Sequence, residues 1–171
     1  NENRSGLYAL DNLWDGLGAI ILDNHHLKYL FGKVTMYPHF NQKARNMILY
    51  FLKRHFNDPD NLVVPIDPAS IDINQEEMKK IFTGWRYRDN YKILSREVRS
   101  LGENIPPLIN AYMGLSPTMR TFGTFINHKF GNVEETGIMI TLRDIYVEKI
   151  NRHLASYKKD FLITWFSHEN Q

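Results

Sequence analysis

The hydrophobic pattern of the chain switches between a helical period and an extended one. From Gly6 to Leu22, the apolar positions Leu7, Leu10, Trp14, Leu17 and Ile21 recur at spacings of three and four, which predicts a helix with one continuous stripe. Asp23-Asn24-His25-His26 ends that period. Tyr29 to Tyr37, rich in aromatic and branched side chains, then predicts a strand, and Pro38 must stop it because proline has no amide hydrogen for a ladder. Asn41 is suited to cap a second helix through Ala44, Met47, Ile48, Phe51, Leu52 and Phe56, ending near Asn57-Asp58-Pro59.

Leu62 to Asn74, with Pro65 and Pro68, reads as a surface connection. Helices are expected over Gln75 to Phe82 and Asp89 to Leu101, the second with Tyr91, Leu94, Val98 and Leu101 on one face and Gly102 as its stop. Pro106-Pro107 opens a short helix that Gly114 closes. Residues 119–128 and 137–142 predict an antiparallel pair of strands, with the polar stretch 129–136 as a long tip. A helix through Ile145 to His153 and a last strand over Phe161 to Phe166 complete the expectation. Together these elements predict an α+β fold, a mixed and largely antiparallel sheet with flanking helices, in one domain spanning 1–171 with 143–171 as a weakly patterned tail.

Composition narrows the classes of function. A chain of 171 residues, 43% hydrophobic and 23% charged, suits an ordinary globular domain with a real core. A net charge of +2 gives no electrostatic case for nucleic acid. Without cysteine there can be no disulfide, thiolate nucleophile or cysteine-bound metal, which fits a cytoplasmic setting. His25 and His26 are adjacent and the other five histidines lack ligand spacing, so no metal is expected. No apolar run is long enough to span a bilayer, while 22 aromatic residues leave peripheral membrane contact open.

Arg4-Ser5-Gly6 stands before the first apolar stripe, where a cation, a hydroxyl and a glycine can receive an anion on free helix amides. Such sites ordinarily follow a strand, and none precedes this one. Two readings remain: Ser5 is an ordinary cap beside a solvated Arg4, or the stretch is half of a site.

Three blocks in order, GLYALDNLWDGLG, KYLFGKVTMYPHFNQKARNMILYFL and PPLINAYMGLSPTMRTFGTFINHKFGNVEETGIMITL, resemble the acyl-ACP-dependent N-acyltransferases of the ornithine-lipid and glycine-lipid type. That group, often labelled hemolysin-like, is related to autoinducer synthases within the GNAT superfamily. The resemblance covers most of residues 4 to 142 and implies a GNAT-like fold lacking its N-terminal part, the later portion of a larger enzyme cut at the turn that holds the donor's phosphate. It implies acyl-phosphopantetheine, as acyl-ACP or acyl-CoA, for the donor substrate, and acyl carrier protein and an amino-acid acceptor as partners, in the biosynthesis of amino-acid lipids.

On the same resemblance, Arg4, Ser5, Gly6 and Leu7 would bind the pantetheine phosphate, and the strand Tyr29 to Tyr37 would wall the pantetheine channel. Tyr37 and His39, just past that strand, are candidates to protonate the leaving thiolate, against an ordinary surface role. Glu134, with Glu135 beside it on the expected tip, is the candidate to orient or deprotonate the acceptor amine, against a solvated acidic turn. The alternative function is a non-catalytic accessory module binding an acidic carrier protein through Arg45, Lys53 and Arg54, or Lys79, Lys80, Arg86 and Arg88, against plain solvated helix faces. A pore-forming role has no support in any spanning helix or alternating strand run.

Overall fold

The computed structural model describes the backbone of residues 2–154 and the side chains of residues 12–152. It is α+β, and it divides into two compact units. One takes its described residues from 2–30 and 141–154; the other is Phe31–Ile140. In the first unit, the long helix α1 (Glu2–Asp23) packs on α6 (Val147–Leu154), which follows a single 3-10 turn over Leu142–Asp144. The amide of Leu142 donates to the carbonyl of Lys28 at 2.9 Å. The expected strand over Phe161 to Phe166 lies outside the described residues.

The second unit contains most of a three-stranded sheet in the order β1–β3–β2, where β1 is Tyr29–Met36, β2 is Arg120–Asn127 and β3 is Val133–Thr141. Strand β2 runs antiparallel to β3, with Phe125 opposite Glu135 and Ile126 opposite Glu134. The register slips by one residue between Thr121 and Thr124, a bulge at Phe122-Gly123. Gly123 is required there by its neighbour: a Cβ on it would stand 2.6 Å from Cδ of Pro65. Pro65 belongs to the Pro-rich connection, which lies along the outer edge of β2 through Ala69 N–H to Thr124 O at 2.8 Å and a bridge between Pro68 and Phe125. That covers a ladder edge that would otherwise be bare.

Helix α2 (Gln42–His55) starts because the Asn41 side chain accepts from the amides of Lys43 (3.0 Å) and Ala44 (3.2 Å). Its stripe of Ala44, Met47, Ile48, Phe51 and Leu52 is fully buried, as are Val34, Met36, Ile138 and Ile140 of the sheet. At its C-terminus, Lys53 and Arg54 suit the negative end of the helix dipole. Helix α4 (Tyr87–Ser100) packs on α2. Two short helices complete the unit: α3 (Gln75–Ile81), capped by Asn74, and α5 (Pro107–Met113), with a proline at its start.

Three boundaries differ from the sequence expectation. Helix α4 starts at Tyr87, because Tyr87 packs edge-on against His55 and Phe56 and is drawn into the helix by that aromatic cluster. Strand β3 starts at Val133, so the polar residues Glu134, Glu135 and Thr136 are in the ladder and not in the turn, which is only 128–132 with Gly131 and Asn132 at positive φ. Helix α1 already includes Asn3-Arg4-Ser5 ahead of Gly6: nothing in those residues breaks a helix, and one glycine in it costs only about 1 kcal/mol.

Candidate active site

Strand β3 carries the chemistry. Successive residues of a strand point to opposite faces, so Glu134 and Glu135 diverge. Glu134 meets Arg45, at the end of the first turn of α2, through its Oε1 and the arginine Nη1. Glu135 meets Lys33 of β1, with Nζ 2.6 Å from Oε1. The cation is contributed across the sheet in one case and from the helix layer in the other.

The two carboxylates differ in access. Glu135 is 1% exposed under a Lys33 side chain that is 54% exposed, whereas the Glu134 and Arg45 side chains keep 19% and 15% exposure. Both leave Oε2 buried with no hydrogen-bond partner. A buried acceptor left unmade costs about 1–3 kcal/mol, so a sheet gains nothing in stability from two of them on consecutive residues.

Arg45 is held in place. Its Nε donates to Asn46 Oδ1 at 3.0 Å, and Asn46 in turn donates from Nδ2 to the carbonyl of Asp72 at 2.9 Å, so the guanidinium plane is fixed from behind. Its position runs against helix electrostatics: the first turn of α2 has no acidic residue, and a cation near that end faces the positive pole of the dipole. Lys43, one position from the helix start, is instead neutralised by Glu77 at 2.8 Å, and that hydrogen bond raises its pKa.

Tyr37 and His39 lie where β1 gives way to α2, the end of the sheet at which antiparallel β3 begins. Their rings stack at 5.7 Å, and both residues are exposed. Thus the structure puts Tyr37, His39, Arg45 and Glu134 at one end of the same unit. Arg4, Ser5, Gly6 and Leu7 belong to the other unit, inside the first turns of α1.

The sequence placed Glu134 on a tip, and the structure corrects this to the first ladder positions of β3. It also redirects two of the basic residues assigned to a carrier-facing surface. Arg45 turns inward to Glu134, and Arg54 donates to the carbonyls of Phe82 (2.8 Å) and Gly84 (3.2 Å). Lys53, Lys80, Arg86 and Arg88 are exposed. The pairs Lys33–Glu135 and Arg45–Glu134 were not visible beforehand, because each joins residues about a hundred positions apart or nearly so. Among the described residues, no three His, Asp or Glu side chains gather as metal ligands, and no helix is long and apolar enough to cross a membrane.

Two curated relatives are similar to this chain over about nine-tenths of its length. One is a glycine N(alpha)-acyltransferase of Bacteroides thetaiotaomicron, 55% identical over 152 residues, which are 89% of this chain and 45% of that protein. The other, of the same name, is from Phocaeicola vulgatus and is 53% identical over 154 residues, 90% of this chain and 47% of that protein. The chain therefore spans about half the length of the curated relatives it matches. No family model and no solved structure matches it.

Proposed function

We propose that this chain is the later part of an N-acyltransferase that moves a fatty acyl group from a phosphopantetheine thioester, carried by acyl carrier protein, to the amino group of an amino acid, glycine first among them, in amino-acid lipid biosynthesis. The observation that carries this reading is 55% identity over 152 residues to a protein named glycine N(alpha)-acyltransferase. The GNAT-like resemblance of the ordered sequence blocks supports the same class.

The reaction is aminolysis. The amine nitrogen attacks the thioester carbonyl carbon, the C–S bond breaks as the C–N bond forms, and the amine proton and the thiolate must both be managed. In this reading Glu134 takes the proton from the amine through its free Oε2, while Arg45 keeps the carboxylate anchored at Oε1. Tyr37 or His39 returns a proton to the departing thiolate. Arg4 and Ser5 offer a cation and a hydroxyl to the donor's phosphate, with Gly6 and Leu7 beside them in α1. The exposed Lys53, Lys80, Arg86 and Arg88 remain as cations for an acidic carrier surface.

The test is acyl transfer from a long-chain acyl-ACP to labelled glycine by the complete gene product and by its Glu134→Gln variant. Transfer by the native protein is expected, and the variant should lose about a hundredfold in kcat with donor binding unchanged. Absence of transfer to glycine, ornithine or any other amino acid would refute the reading.

A further inference from the structure

We infer that the Arg45–Glu134 pair is the receptor for the acceptor as a zwitterion: Glu134 Oε2 takes the ammonium group, and Arg45 reads the carboxylate. This deepens the reading of the chain as an amino-acid N-acyltransferase and rests on it. It makes Arg45 the residue that distinguishes an α-amino acid from a simple amine.

The geometry has three independent parts. First, Glu134 uses one oxygen on Arg45 and leaves the other buried without a partner, so the pair has an acceptor position unfilled by the protein. Second, Arg45 uses Nη1 on Glu134 and Nε on Asn46, and no hydrogen bond to its Nη2 is found among the described residues. Those two nitrogens lie on different edges of the guanidinium, so Nη2, between them, keeps its N–H donors for a single charge-assisted bond to a second carboxylate. Third, the Glu134 and Arg45 side chains keep 19% and 15% exposure where that of Glu135 keeps 1%, so the pair lies at the margin of the core and not within it.

The ligand follows from the charges. An α-amino acid carries its cation and anion on the same carbon, so the two lie about as far apart as the two members of a close ion pair. Laid antiparallel against Arg45–Glu134, it turns a dipole into a closed set of four alternating charges. A simple amine fills only half of this set. Arg45 also sits close to the positive end of α2, where it is electrostatically disfavoured as a helix residue and where a carboxylate is favoured. The orientation leaves the amine against the group that takes its proton, so carboxylate recognition and proton removal are performed by the two halves of one ion pair.

The experiment compares glycine with glycinamide, which keeps the amine and lacks the carboxylate, as acceptors for the complete gene product at saturating acyl-ACP. The native protein should prefer glycine by about a hundredfold or more in kcat/KM, because a charge-paired subsite strongly rejects an analogue that leaves it unpaired. Arg45→Gln should collapse that ratio to within a few fold of unity, chiefly by raising the KM for glycine, with the KM for acyl-ACP unchanged. Arg45→Lys, which keeps the charge beside Glu134, should fold as the native protein does and give an intermediate ratio, about tenfold below native. A native ratio near unity, an unchanged ratio in both variants, or equal losses on both acceptors would overturn the inference while leaving acyl transfer itself intact. Failure of the native protein to acylate any amino acid would instead remove the functional reading on which the inference stands.

Discussion

Removing the Asn90 side chain should cost about 3 kcal/mol, more than most single surface changes in this protein. Asn90 is wholly buried in the first turn of α4. Its Oδ1 accepts the amide of Gly84 at 3.0 Å, and its Nδ2 donates to the Gly84 carbonyl at 3.0 Å and faces His55 Nε2 at 3.2 Å. One amide thus joins α4, the loop after α3 and the end of α2. In Asn90→Ala the Gly84 carbonyl keeps Arg54 as a donor, but the Gly84 N–H and His55 Nε2 lose their partners and a small void opens. Two stranded groups at about 1–3 kcal/mol each, partly relieved by water at the half-exposed Gly84, give the figure above. Urea unfolding of the complete gene product at pH 8, followed by circular dichroism, measures it as a shift in midpoint at constant slope. A loss below about 1 kcal/mol would refute the clasp, and the double variant with His55→Ala should show coupling of about 1 kcal/mol.

The same clasp fixes a tautomer and a pH dependence. Because Asn90 Oδ1 is committed to an N–H, its nitrogen must face His55, so Nε2 is the acceptor and the imidazole is neutral with its hydrogen on Nδ1. Burial first, and the neighbouring Arg54 second, hold the His55 pKa below its ordinary 6.5. This contribution to stability is fully present above pH about 6.5 and is lost as pH falls below it, since the unfolded chain takes the proton first. An NMR titration of His55 with a midpoint above 7 would contradict it. Two glycines give a paired prediction: Gly123→Ala should cost about 1–3 kcal/mol, because the new Cβ meets the rigid ring of Pro65 at 2.6 Å, whereas Gly32→Ala meets only the Tyr112 hydroxyl at 2.9 Å, at the far end of a side chain, and should cost less than about 1 kcal/mol. Unfolding midpoints in the reverse order would show that neither neighbour is packed as described.

What could be read beforehand was local, and what could not was a matter of partners. The stripes of α1 and α2, the Asn41 cap and the strand ended by Pro38 follow from spacing and backbone chemistry within a few residues. Asn90 carries a signal of its own. It lies four and eight positions before Leu94 and Val98, on the apolar face of α4, where a polar residue must bring its own partners into the core. Glu134-Glu135-Thr136 misled in the opposite sense. Charged residues in sequence are the normal mark of a turn, and their place in β3 depends on Lys33 and Arg45, which no local pattern associates with them. The polar positions least predictable from the sequence are therefore the ones held by distant cations, and they are also the ones with unfilled acceptors. A strand built only to fold is served by valine or threonine there, so two half-satisfied carboxylates on consecutive residues point to a requirement outside the fold.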